Sequence, residues 1–317
     1  MALVSATCVP VVDAVNAGTN ISLGTHPNFA TLLYTTSSGS YICGGWLADA
    51  RHIVTAAHCV TQQHQLNDPA KFFVYFNKLP GVSPFRPEPS YQAQALFAHP
   101  GYGSGAWSAY GNDVGIVRLA ASVPGVTPWS YATSPGVLSS TPECTRYTVV
   151  GHGETCDGGC LSAALQRGMV FKLADAHCER SPADYDYRLW PPQVVGPDDV
   201  CMGNAPPCVS WSTSASAVAA NQHACAGDSG GPVFDASGTV VALVSRGSVK
   251  DCSQVVKPDV YTHVGAPSNA AWIASVLSGQ QQQQPQTQTQ TPSSGAFFAH
   301  ASRSALWAVL MYVLTCV

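Results

Sequence analysis

The chain has 317 residues, a net charge of −4 and charged side chains at only 10% of positions, a balance that argues against a surface built for nucleic acid. Its average hydrophobicity suits a globular core, while abundant Ser, Thr, Gln, Gly and Pro fit a secreted β-rich protein better than a cytosolic helical one. Twelve cysteines, scattered without a CxxC…CxxC array, point to disulfides in an oxidising compartment rather than to a metal cluster.

In chain order, residues 1–12 are mostly apolar but short and lack a basic start, which makes a poor secretory signal. Val12 and Ala14 offer apolar or small residues at the minus-three and minus-one positions for cleavage before Val15. Asn20-Ile21-Ser22 is a sequon for N-glycosylation. Three motifs then carry the chemistry. Thr55-Ala56-Ala57-His58-Cys59 supplies an imidazole, Asn112-Asp113-Val114-Gly115-Ile116 a carboxylate, and Gly227-Asp228-Ser229-Gly230-Gly231-Pro232 a hydroxyl. A serine hydroxyl is a poor nucleophile until a neighbouring base takes its proton, and an imidazole serves best when a buried carboxylate fixes its tautomer. The glycines beside Ser229 permit a sharp backbone turn that aims amides at a developing oxyanion.

Between these motifs lie short runs rich in Val, Tyr and Phe, as at residues 72–76, 147–150, 169–173 and 240–244, bounded by Gly, Pro, Ser and Asn. They predict an all-β protein, barrel or sandwich, and the pattern alone leaves the two open. Residues 280–291 form a charge-free Gln/Thr/Pro tract that reads as a flexible stalk. Small residues follow at 293–296, then a spacer, then an apolar run at 305–317. That order matches the signal for a glycosylphosphatidylinositol anchor. The run is shorter than the ~20 residues of a spanning helix, and a tail-end membrane helix is the alternative.

The three motifs resemble the TAAHC, ND[IV] and GDSGGP segments of the trypsin/chymotrypsin-like serine peptidases. The likeness extends to Cys43-Gly44-Gly45-Trp46-Leu47, His99-Pro100-Gly101-Tyr102, Val244-Ser245-Arg246-Gly247 and Lys257-Pro258-Asp259-Val260-Tyr261-Thr262-His263-Val264. It runs from about residue 15 to 277. The resemblance implies two six-stranded antiparallel β-barrels and a short C-terminal helix at residues 267–277. His58 and Asp113 would come from the first barrel, Ser229 from the second, and the cleft would lie between them. It implies a serine endopeptidase in which Ser229 attacks the scissile carbonyl, His58 is base and then acid, and Asp113 orients His58. Gly227 and Ser229 would supply the oxyanion-hole amides, and Ser245 and Gly247 would pair with the substrate backbone. Asp228 would receive the ammonium of a freed Val15, although no Arg or Lys precedes Val15 and what frees it is open.

The resemblance also implies disulfides Cys43–Cys59, Cys178–Cys201 and Cys225–Cys252. Cys144, Cys156, Cys160 and Cys208 allow three connectivities; a local Cys156–Cys160 bridge is marginally favoured, which leaves Cys144–Cys208. Cys8 and Cys316 fall in segments expected to be removed.

Departures from the family cluster around specificity. His223 stands at the pocket base, where trypsin-like members carry aspartate, and Asp259 replaces a pocket-wall glycine. Together they lean towards a basic or mixed substrate side chain, while a charged His223 would favour an acidic one. Arg246 replaces a tryptophan beside the cleft and suggests an acidic residue two or four positions before the scissile bond. His152 also replaces a tryptophan, read as a structural substitution. No histidine has HExxH spacing, so neither metal nor cofactor is expected.

The expected organisation is a leader at 1–14, a peptidase domain at 15–278, a stalk at 279–295, and a spacer and tail at 296–317. Expected partners are protein and peptide substrates and, through a lipid anchor, the outer face of a membrane, with no nucleic acid. The competing readings are a catalytically silent surface-binding protein on the same fold and, more weakly, an esterase. The Ser…Asp…His order of the α/β-hydrolases is absent.

Overall fold

The computed structural model describes residues 15, 18–22, 24–37, 39–76, 90–103, 111–154, 161–162, 164–179, 194–204, 208, 222–247 and 258–280. The expected leader before Val15, most of the stalk, and the tail lie outside them, as do Cys8, Cys156, Cys160, Cys252 and Cys316.

After the two-residue strand β1 (Thr19–Asn20), the first barrel is built from β2 (Phe29–Thr36), β3 (Gly39–Leu47) and β4 (His52–Thr55). A single turn of helix, α1 (Ala57–Val60), and a small hairpin, β5 (Thr61–Gln62) with β6 (Gln65–Leu66), lead to β7 (Phe72–Phe76), β8 (Tyr91–Ala98) and β9 (Gly115–Leu119). The sheet closes in the order β2-β3-β4-β9-β8-β7, every pairing antiparallel. Period-two burial explains the elements. In β7, Phe72 and Val74 point inwards while Phe73 and Tyr75 lie at the half-buried outer face. Inside pack Leu32, Leu47, Ile53, Leu96, Val117 and Leu119.

A short helix, α2 (Gly136–Ser139), precedes the second barrel: β10 (Arg146–Gly151), β11 (Gln166–Lys172), β12 (Asp199–Gly203), β13 (Pro232–Phe234), β14 (Val240–Arg246) and β15 (Asp259–His263). Its order is β11-β10-β13-β14-β15-β12, closed by the β11–β12 pairing, with β1 added at the outer side of β11. Tyr147, Val149, Val170, Met202, Val233, Val241 and Tyr261 fill it. Two six-stranded antiparallel barrels are therefore present, as the resemblance implied. The final helix, α3 (Pro267–Leu277), opens on Pro267, where a missing N–H costs nothing, and buries Trp272 and Ile273.

The barrels are joined by a third apolar cluster drawing on both: Phe29, Trp46, Val54, Phe97 and Val114 from the first side, Val150, Leu165 and Leu243 from the second, and Trp272 from α3. At the seam the backbones nearly touch. A Cβ on Gly44 would stand 2.9 Å from the Cα of Gly231, so neither chain could carry a side chain there without moving the barrels apart. Cys43–Cys59 and Cys178–Cys201 are disulfide-bonded, and Cys144 pairs with Cys208 across 64 positions. Cys225 is disulfide-bonded too; Cys252, its expected partner, lies outside the described residues. Among the described residues no helix is long and apolar enough to cross a membrane.

Trp46 is fully buried in the joint between the barrels. Trp46→Ala is expected to cost about 3–5 kcal/mol, read as a lower urea midpoint at unchanged slope with the disulfides intact.

Candidate active site

Asp113 arrives just ahead of β9 with its carboxylate fully buried. Burial alone would raise its pKa, but the His58 charge, the His58 side chain, the Ser245 hydroxyl and the His58 amide together hold it below the ordinary carboxylate value. The geometry is explicit. The His58 amide donates to Oδ1 at 2.9 Å, His58 Nδ1 lies 2.7 Å from Oδ2, and Ser245 Oγ donates to Oδ2 at 2.7 Å. An ionised carboxylate only accepts, so the proton sits on Nδ1 and leaves Nε2 with a free lone pair. His58, on the single turn α1, is partly exposed. Its burial opposes the charged form, but the Asp113 charge and hydrogen bond prevail, and its pKa is raised.

The preceding residue holds Asp113 from behind. Asn112 adopts φ +54 and donates through Nδ2 to Asp198 Oδ2 at 2.8 Å and to Asn269 Oδ1 at 3.1 Å. The loop is thereby tied both to the turn leading into β12 and to α3.

Ser229 comes from the second barrel but is gripped by the first. Its carbonyl accepts the Gly44 amide at 2.7 Å and lies 3.7 Å from Cys59 Sγ, beside the residue that follows His58. Gly230, at φ +76, is packed so tightly that a Cβ would meet Thr55 Oγ1 and the Gly44 carbonyl. Around Ser229 the amides of Asp228, Gly230 and Gly231 donate to the carbonyls of Cys225, Val244 and Asp228. Those of Gly227 and Ser229 donate to no backbone carbonyl of the described residues. Gly227 makes this turn at φ +92.

Asp228 is fully buried and accepts the amides of Gly153 at 2.7 Å and Cys225 at 2.9 Å. Burial outweighs these amides and raises its pKa to about 7. Its cradle is made by absence, since a Cβ on Gly151 or Gly153 would collide with the carboxylate. His152 between them is buried, stacks edge-on against Phe29 at 5.6 Å and contacts the Ser162 carbonyl through Nδ1 at 3.2 Å. Burial drives its pKa down to about 4, so it is a neutral packing residue at physiological pH.

Of the expected specificity residues, His223 and Asp259 are both buried. A Cβ on Gly247 would lie 3.1 Å from Asp259 Oδ1, so this carboxylate rests against the Gly247 backbone. Arg246 behaves differently from the expectation. Its Nη2 donates to Asp199 Oδ2 at 2.7 Å and to the Val194 carbonyl at 2.7 Å, with side chains only 9% and 2% exposed for Arg246 and Asp199. The guanidinium is thus neutralised inside the protein and offers no free charge to an acidic substrate residue.

Two contributors escaped the sequence reading. Ser245 was assigned only a backbone role, yet its hydroxyl bonds Asp113. Asp199 carries no motif; only its place two residues before Cys201 marks it. Cys43, His58 and Cys59 bring three potential ligand atoms within 4.8 Å of one another, but the two sulfurs are bonded to each other and are not thiolates.

Comparison with known proteins bears on this arrangement. The model of the trypsin family matches residues 15–273. Human granzyme M is 28% identical over 249 residues, covering 75% of this chain and 80% of that protein. Trypsin of Saccharopolyspora erythraea is 28% identical, covering 78% and 92%, and trypsin of Sus scrofa 27%, covering 76% and 88%.

Because the raised His58 must be neutral to accept a proton, the acid limb of kcat/KM against pH is expected to have its midpoint above the ordinary histidine value of about 6.5. A stopped-rate profile on a peptide substrate whose limb fell below that value would contradict the geometry.

Proposed function

This chain belongs to the trypsin family and is a serine endopeptidase, and on that premise we propose that it cuts peptide bonds with Ser229, His58 and Asp113. Ser229 Oγ attacks the scissile carbonyl as its proton passes to His58 Nε2. The resulting imidazolium is stabilised by the ionised Asp113 and then protonates the leaving amine. Water, deprotonated by the same imidazole, releases the acyl group from Ser229. The amides of Gly227 and Ser229 take the oxyanion, an interaction worth about 3–4 kcal/mol per donor in such sites. The observation that carries this reading is Asp113, held ionised and fully buried by three donors, two of them from His58.

Asp228 belongs to the same proposal. In a chain trimmed to begin at Val15, the new ammonium would pair with its carboxylate and set the turn at Gly227–Ser229. Support comes from the full burial of both residues and from the Asp228 carboxylate, which accepts only the amides of Gly153 and Cys225 among the described residues. For substrate choice, the buried Asp259 carboxylate against Gly247 favours a basic side chain before the scissile bond, with His223 at the pocket base tempering it. The disulfides support work outside the cell. Attachment to a membrane by a lipid near residues 293–296 rests on the sequence pattern alone.

The direct test is cleavage of a diverse peptide library by the chain trimmed to Val15, with Ser229→Ala beside it. Cleavage after Lys or Arg that the variant lacks supports the triad and Asp259 together; equal product from both would refute it. The Asp228 role predicts a stability difference with a definite sign. A carboxyl raised from 3.8 to about 7 stabilises the fold only while protonated, so the untrimmed chain should lose stability as pH rises through that interval. The trimmed chain, paired by its ammonium, should not. Urea titrations at pH 4 to 8 that ran parallel for both forms would remove the pairing.

A further inference from the structure

Between Val244 and Arg246 the pairing of β14 with β15 slips by one residue: Val244 faces Tyr261, Arg246 faces Val260, and Ser245 is the extra residue. A bulge of this kind leaves one residue out of the ladder and re-aims its side chain. Here the re-aimed group is the Ser245 hydroxyl, which crosses to the other barrel and donates to Asp113 Oδ2. Arg246, immediately beyond the bulge, is clamped. One guanidinium nitrogen holds Asp199 Oδ2 and the Val194 carbonyl, and the other reaches to 3.5 Å of Ser245 Oγ. Asp199 is fixed in turn by the Gly196 amide at 3.1 Å and stands at the start of β12. Its Oδ1 is buried and has no hydrogen-bond partner among the described residues, so Arg246 supplies its compensating charge.

We propose that the buried Arg246–Asp199 pair is a positioning element for Asp113: it locks the bulge at Ser245, and so holds the third hydrogen bond on the carboxylate that orients His58. The inference rests on the triad assignment above. It explains why a buried ion pair, which seldom adds net stability over apolar residues, stands beside the bulge at Ser245. Among the described residues the charged groups facing Asp113 are His58 and Asp199, with Arg246 behind Ser245 and Asp198 held by Asn112. Arg246 is a positioning residue. Only Arg serves here, because a lysine ammonium cannot present a planar fork to Asp199 and Ser245 at once.

The two members of the pair should disturb His58 in opposite directions. Arg246→Met removes a cation, leaves Asp199 uncompensated and loosens the Ser245 bond; each change favours imidazolium, so the acid limb of kcat/KM should move to higher pH. Asp199→Asn leaves the cation uncompensated and should move it to lower pH. Arg246→Lys, which keeps the cation, should bring the limb back most of the way yet keep kcat reduced by roughly three- to tenfold.

The rates are expressed per active site, counted by the initial burst of an acylating ester, so that misfolded protein does not enter. If the single variants fail to fold, Arg246→Met with Asp199→Met replaces the pair by apolar volume, and kcat per site should still fall, with the limb raised less than in Arg246→Met alone because only the loosened Ser245 bond displaces it. Parental limb and parental kcat per site in the folded variants, with only KM altered, would overturn the proposal and leave Arg246 as part of a substrate subsite. A parent protein with no burst would instead sink the triad assignment.

Discussion

Everything at this site depends on keeping one negative charge ionised in a place buried from solvent. Asp113 is buried completely, and a bare carboxylate there would neutralise itself by taking up a proton. Three donors prevent it, and they come from both halves of the molecule: the amide and imidazole of His58 from the first barrel, and the Ser245 hydroxyl from the second. The carboxylate is thus a joint between the barrels as well as a partner for an imidazole. Fold and chemistry share one set of hydrogen bonds.

The same economy governs the serine. Gly44, Gly230 and Gly231 let two backbones approach where any Cβ would intrude, and the Gly44 amide then grips the Ser229 carbonyl. The Thr55 hydroxyl donates to the Gly44 carbonyl at 2.7 Å, which joins the strand entering α1 to the strand gripping the serine. Apolar packing by Phe29, Trp46, Val150 and Trp272 supplies the non-directional adhesion behind this seam. The glycines turn that adhesion into atomic placement, which a reaction needing its groups aligned to well within an ångström requires.

Much of this was legible in the sequence because it is local. Runs rich in Val, Tyr and Phe between turn residues marked β7 and the inner parts of β10, β11 and β14, while α3 came from the family resemblance. The motif residues were legible because glycines and a TAAHC turn have few other uses in such an order. What escaped notice was long-range. That Ser245 turns its hydroxyl across the barrels depends on a one-residue slip in β14, and such a slip leaves no signature in composition. Arg246 was misread for the same reason. An arginine in a cleft motif looks like an offer to substrate until Asp199, 47 positions away, is seen to have claimed it. The Cys144–Cys208 pairing was reached by elimination, and its 64-residue separation shows why spacing alone could not settle it.

The most direct measurement is the site of covalent capture. The chain trimmed to Val15 would be treated with a fluorophosphonate and mapped by mass spectrometry beside His58→Ala. The account predicts one adduct per chain, on Ser229, and its loss in the variant that lacks the base. An adduct on another serine, no adduct on a folded chain, or equal labelling without His58 would contradict it.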